Sequence, residues 1–205
     1  MKNKFWFQFC LLTAIITCLG FYRVSSHKVK EQDIIASLQS HQSPASIRSF
    51  QIISDSINFF SLGIPSLFLV AGLYQKKRIW VRNGLIVLLG IALGGLISAT
   101  LKRTIKEPRP YEVDVRISQW SVGGSNSFPS GHTVEATAAA IGFSSLLFRT
   151  PLSVILSVIW ALSIMYSRIV LGVHNFTDIL AGIATGCIGL LIVYHLFERR
   201  PLREP

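Results

Sequence analysis

The chain has 205 residues, half of them hydrophobic and only 15% charged, with a formal net charge of +10. A soluble domain of that length needs a larger polar surface, so the composition excludes an ordinary water-soluble globule and points to lipid. The basic residues stand at the ends of apolar runs rather than along one exposed face, which argues against nucleic acid as a partner.

A bilayer core of ~30 Å asks for about 20 apolar residues per helix. Six segments come near that length, and the first is Phe5–Tyr22. It follows Met1-Lys2-Asn3-Lys4 as a signal peptide would. However, no small-x-small cleavage site follows and Tyr22-Arg23 ends it abruptly, so it reads as an uncleaved span. The connection from Arg23 to Ser56 is too long for a turn. Ile34, Ile35 and Leu38 fall at helical spacing, as do Ile47, Phe50 and Ile53 after the helix start Ser43-Pro44. Two short amphipathic helices on the membrane surface are predicted there.

Spans at Ile57–Gln75, Gly84–Leu101, His132–Phe148, Leu152–Tyr166 and Phe176–Phe197 follow, the fifth extended by Ile169–Val173. Gly90-x-x-x-Gly94 and Gly182-x-x-x-Gly186 permit close helix approach. Trp6, Trp80, Trp120 and Trp160 read as interfacial anchors near span ends. Cys10, Cys18 and Cys187 all lie inside apolar runs, which suits neither a disulfide framework nor a metal site. The expected architecture is all-α: one domain over residues 1–205, a bundle of six transmembrane helices with its active site at the outer membrane surface.

Lys and Arg divide evenly between the two sets of connections, ten on each side. Six of the ten on the outer side belong to clusters that need positive charge for chemistry; without them the count is ten inside and four outside. Both termini are therefore expected in the cytoplasm.

Three polar clusters open on the outer side in this topology. Lys102-Arg103-Thr104-Ile105-Lys106-Glu107-Pro108-Arg109-Pro110 ends the third span and supplies charge; Arg offers forked hydrogen bonds to phosphate, Lys a point charge. Pro129-Ser130-Gly131-His132 opens the fourth span. There the unpaired backbone N–H groups of a helix N-terminus favour an anion, and Ser130 reads either as a hydroxyl donor to it or as the helix N-cap. His132 is placed to give a proton to a leaving oxygen. Ser167-Arg168, His174 and Asp178 join the last two spans. A helix beginning near His174 would put Asp178 one turn on, where it fixes the tautomer and frees the other imidazole nitrogen.

These residues resemble the type 2 phosphatidic acid phosphatase superfamily, which shares its phosphate site with vanadium haloperoxidases. Its pattern of Lys, six residues, Arg-Pro is matched by Lys102 and Arg109-Pro110. Pro-Ser-Gly-His is matched by Pro129 to His132, and Ser-Arg, five residues, His, three residues, Asp by Ser167-Arg168, His174 and Asp178. The resemblance implies a phosphohistidine on His174, oriented by Asp178. It implies His132 as acid and then base, and Lys102, Arg109, Arg168, Ser130 and the Gly131 N–H as the phosphate cradle. No carboxylate cluster suited to a metal lies near these motifs, and no cofactor is expected.

Arg103, Lys106 and Arg116 add charge outside the pattern, suiting either a diphosphate or anionic headgroups. Glu135, one turn beyond His132, either tunes it, binds a substrate hydroxyl, or is satisfied by a neighbouring helix. His27, His41 and His195 read as incidental to the site. The expected function is a lipid phosphatase of the bacterial cytoplasmic membrane, its site on the periplasmic face. Undecaprenyl diphosphate is favoured as substrate over phosphatidylglycerol phosphate, phosphatidic acid or lipid A phosphate. Lipid-to-lipid phosphotransfer, vanadate-dependent peroxidation and non-catalytic lipid-phosphate transport or binding are the alternatives.

Overall fold

The computed structural model describes residues 28–198 together with Cys18, and the described residues contain helices and no strand. The first expected span lies outside them apart from Cys18. The helices are α1 (Lys28–Ser40), α2 (Pro44–Asp55), α3 (Ile64–Tyr74), α4 (Arg78–Ile105), α5 (Pro110–Val113), α6 (Gly131–Gly142), α7 (Pro151–Val170) and α8 (Phe176–Glu198). Two π-helical turns, Phe59–Gly63 and Phe143–Leu147, precede α3 and follow α6. Among the described residues, four helical stretches are long and apolar enough to cross a membrane: Pro44–Tyr74, Arg78–Val113, Pro151–Val170 and Phe176–Glu198.

The connection before the second span departs from expectation. Both helices form, and Ser43 caps α2 by accepting from Ser46 N, with Pro44 in the first turn. Yet α2 does not lie apart on a surface. Ser56 N still bonds to Ile52 O, the π turn continues the helical path into α3, and α2 packs on α7. It extends the span at the end of the bundle that carries Gln39 and the end of α7. α1 is tied to the site end of α7 by Gln39, whose Nε2 donates to Val170 O and to Ser118 O, both at 2.9 Å.

At the centre stands α6, packed on α4, α7 and α8. Ala136, Ala138 and Ala139 on it are fully buried, so the fourth segment is sheathed by helices. Where lipid surrounds a bundle, apolar burial no longer drives helices together, and close backbone approach takes over. Gly189 on α8 meets α4 in this way: a Cβ there would lie 2.6 Å from Gly94 N and 2.7 Å from Gly90 O. Gly182 does the same against α6, where a Cβ would lie 2.9 Å from Ser130 O. The small-residue patterns thus fix the position of the helix that opens the site.

Outward faces of α3 and α7 stay apolar and exposed, with Leu67, Val70, Ile155 and Leu156 more than half accessible, as a lipid-facing surface requires. Trp160 departs from its reading as an anchor. It sits midway along α7, half-buried between Phe60 and Phe143, with ring centroids 5.7 and 6.0 Å away. Trp80 packs on Phe68 beneath the Lys77 ammonium near the opposite end of α4 from the site.

Candidate active site

One end of the bundle gathers the three clusters around a cavity of about 620 Å³, lined among others by Lys102, Arg109, Gly131, His132, Arg168 and His174. Lys102 lies one turn before the end of α4, which Lys106 closes in the left-handed region at φ 53°. Its ammonium donates to Asn126 O at 2.8 Å and Ser127 O at 3.1 Å. Pro108 and Pro110 interrupt the helix. Arg109 therefore turns inward, donating from Nε to Ser125 O at 2.9 Å and from Nη1 to Val173 O at 2.6 Å. At the end of α7, Arg168 donates from Nη1 to Ser54 Oγ at 2.5 Å and Ser121 Oγ at 3.1 Å.

Arg109 and Arg168 are 3% and 2% exposed. All three cations are held by carbonyls and hydroxyls, and none forms an ion pair with a carboxylate among the described residues. Their charge is oriented without being neutralised, so it is available to an anion in the cavity.

α6 points its N-terminus into the same space. Ser130 is its cap: Oγ accepts from Thr133 N at 3.4 Å, and Ser130 N donates to Asp178 O at 3.0 Å. Ser130 is fully buried and does not line the cavity, so its side chain stands where the cap reading puts it. Gly131 and His132 do line it.

His174 is 3% exposed and Asp178 fully buried. The helix begins at Phe176, where the expected span begins and two residues after His174, so their spacing arises from a turn plus a first helical turn. The result is the same contact: His174 Nδ1 donates to Asp178 Oδ2 at 3.2 Å. That oxygen also accepts from Asn175 N at 2.8 Å and from Ser127 Oγ. With Nδ1 committed, Nε2 carries the lone pair. Burial lowers the imidazole pKa to about 4, the Asp178 hydrogen bond and charge raise it, and Arg109 and Arg168 add to the lowering. His174 is therefore neutral at pH 7 and free to act as a nucleophile.

Four expected residues lie elsewhere. Arg103 and Lys106 are exposed and do not line the cavity. Arg116 is exposed and paired with Asp33 at 2.7 Å and Asp114 at 2.6 Å, which hold its guanidinium pKa above the ordinary value. Glu135 accepts from Ser61 Oγ at 3.3 Å, the neighbouring-helix reading. The charges that favoured a diphosphate thus stand outside the cavity.

The structure also adds wall residues that the motifs did not reveal: Asp55, Ile57 and Asn58 from the α2–α3 stretch, and the loop Ser121 to Ser125. Gly123 lets that loop pack close on the cluster: a Cβ would lie 2.6 Å from Tyr111 Oη and 2.9 Å from Arg109 Nε, and both side chains would have to shift. Gly123-Gly124 beside a charged cluster was a signal for it. Ser54, Asp55 and Asn58 left none, since Ser, Asp and Asn are common at any helix end.

Residues 83–202 match the family model described as PAP2 superfamily. Among curated proteins, lipid A 4'-phosphatase of Porphyromonas gingivalis is 30% identical over 179 residues, covering 82% of this chain and 72% of the relative. Phosphatidylglycerophosphatase B of Bacillus subtilis is 27% identical over 146 residues, covering 66% and 68%. Among solved structures, a transmembrane PAP2-type phosphatidylglycerolphosphate phosphatase from Bacillus subtilis superposes with a TM-score of 0.72 at 22% identity, covering 97% of each chain. LpxE of Aquifex aeolicus gives 0.66 at 21% identity, covering 80% of this chain and 93% of the other.

Proposed function

The chain belongs to the PAP2 superfamily, and on that premise we propose that it is a membrane lipid phosphatase working through a phosphohistidine on His174. The observation that carries this is the pairing of two imidazoles with three cations free of carboxylate partners around one cavity. The substrate phosphate sits among Lys102, Arg109, Arg168 and the N-terminus of α6. His174 Nε2 attacks phosphorus, the bond to the lipid oxygen breaks, and that oxygen leaves with the electron pair and takes a proton from His132. His132, now a base, draws a proton from water; the water oxygen attacks phosphorus and the P–N bond breaks, returning His174 and releasing phosphate.

Phosphoryl transfer asks a protein mainly for positioning and for charge at the equatorial oxygens, and side chains supply both here without a metal ion. Lipid A 4'-phosphatase and phosphatidylglycerophosphatase B among the relatives support a lipid ester as substrate. The site residues, the single catalytic domain and the six-helix count with the first span at Phe5–Tyr22 all belong to this proposal. So does a bacterial cytoplasmic membrane location with cytoplasmic termini and a periplasmic site.

The test is phosphate release by the purified chain in detergent with EDTA present, from phosphatidic acid, phosphatidylglycerol phosphate, a saccharide lipid phosphate and undecaprenyl diphosphate. Release that persists in EDTA and vanishes in His174→Ala is expected. Release left intact by His174→Ala overturns the assignment, and transfer to a lipid acceptor in place of release converts it to phosphotransfer.

A further inference from the structure

We propose that a polar groove beside the phosphate cavity is a headgroup subsite, selecting lipids whose phosphate is esterified to a hydroxyl-rich group, a saccharide or polyol. The inference rests on the phosphatase reading and names its substrate class. The groove encloses about 460 Å³ and shares Asp55, Ser121 and Val122 with the cavity, so a group attached to the bound phosphate can extend into it. Its other walls are Arg48, Gln51, Gln119 and Trp120.

The chemistry of these walls is that of a hydroxyl receptor. Asp55 is exposed, and among the described residues its carboxylate has no hydrogen bond or ion pair within contact distance. Gln119 spends its amide N–H on Ser121 O at 3.1 Å, leaving its carbonyl oxygen as an acceptor. Gln51 donates to Trp120 O at 2.8 Å and Trp120 N donates to Leu171 O at 3.1 Å, so the backbone that carries the indole is fixed from two sides. A carboxylate and a carboxamide oxygen accept from vicinal hydroxyls, and a half-buried indole offers a flat face to the C–H side of a sugar ring.

Other headgroups fit less well. The glycerol ester of phosphatidic acid brings no hydroxyl to Asp55 or Gln119. A diphosphate brings its second anionic group into a groove that holds the Asp55 carboxylate as well as the Arg48 guanidinium, so the attraction of one is offset by the repulsion of the other. Asp55 accordingly acts in both directions, accepting hydroxyls and opposing the pull of Arg48 on a second phosphate.

The experiment compares kcat/KM of the full chain on three lipids in mixed micelles: a monophosphorylated saccharide lipid, phosphatidic acid and a prenyl diphosphate. Wild type is expected to favour the saccharide lipid. Asp55→Ala and Gln119→Ala should each lower the saccharide-to-phosphatidic-acid ratio about tenfold, the scale of one lost hydrogen bond to a polar or charged group. Asp55→Asn should raise activity on the diphosphate relative to the saccharide lipid. Both positions are exposed, so the folded chain tolerates the changes. Ratios unchanged in both alanine variants, or a wild type that favours phosphatidic acid or the diphosphate, overturn the subsite and leave the phosphatase reading standing. No release from any lipid overturns both.

Discussion

Arg168 and Ser54 meet across 114 positions of sequence, the guanidinium Nη1 donating to the serine Oγ at 2.5 Å. Ser54 is fully buried and Arg168 nearly so, and Arg168 Nε has no partner among the described residues. The orientation of one cavity-lining cation therefore depends on a hydroxyl from α2, which lies outside the family match. Ser54→Ala removes that anchor and leaves a buried charged donor with less to bind. A hydrogen bond to a charged group contributes about 1.5–3 kcal/mol, so kcat/KM for phosphate release should fall roughly 10- to 100-fold. Arg168→Ala should cost more, because the charge is lost with its orientation. A Ser54→Ala enzyme of wild-type rate would show that Ser121 alone positions the guanidinium.

His132 and His174 line one cavity but are assigned different steps. His174→Ala should abolish turnover on every substrate, since no other neutral imidazole occupies its place. His132→Ala should lower kcat by about 10²–10⁴-fold on a lipid ester, whose alkoxide leaves poorly without a proton. On an aryl phosphate, whose phenolate leaves unaided, the loss in the first step should be much smaller. Burst kinetics with p-nitrophenyl phosphate separate the two, and equal losses on both substrates would remove His132 from the leaving-group role.

The acid limb of the pH profile should report His174. Its pKa is lowered to about 4, and only the neutral imidazole attacks phosphorus, so kcat/KM should fall as pH drops through about 4. Asp178 raises that pKa by its hydrogen bond and charge. Asp178→Asn keeps an acceptor for Nδ1 and removes the charge, so the limb should move to lower pH while the rate at neutrality also falls. A limb near the ordinary histidine value in wild type would mean that another group controls the reaction.

The chemistry was more legible than the walls that position it. Lys102, Arg109, His132, Arg168, His174 and Asp178 could be picked out because charged and imidazole groups at the ends of apolar spans are costly without a purpose. Their spacings also matched one pattern. Ser127 could not be: a serine near a helix start has many uses, and only the fold shows it donating to the Asp178 oxygen that accepts from His174. Arg116 misled for the converse reason. Its charge is plain in the sequence, and of its two partners Asp114 stands two positions away, but Asp33 lies 83 positions away. The same limit blurred α2, because a surface helix and the end turns of a continuing span share one apolar periodicity. Only the unbroken path through Ser56 and the π turn distinguishes them.

Glycines that looked interchangeable in sequence should differ sharply in what they tolerate. At Gly189 a Cβ would lie 2.6 Å from Gly94 N and 2.7 Å from Gly90 O, backbone atoms that cannot rotate away. α4 and α8 would have to separate, and overpacking of that kind costs about 1–3 kcal/mol. At Gly95, on the same helix as Gly94, a Cβ would meet nothing within 4 Å. Replacing a mid-helix glycine with alanine there should instead stabilise by roughly 0.5–1 kcal/mol, through helix propensity alone. Thermal unfolding in detergent should thus show Gly189→Ala below wild type and Gly95→Ala level with it or above. Because α8 also carries Asp178, Gly189→Ala should lose phosphatase activity at lower temperature as well. If both variants melted together, close α4–α8 contact would not be what holds the bundle at that level.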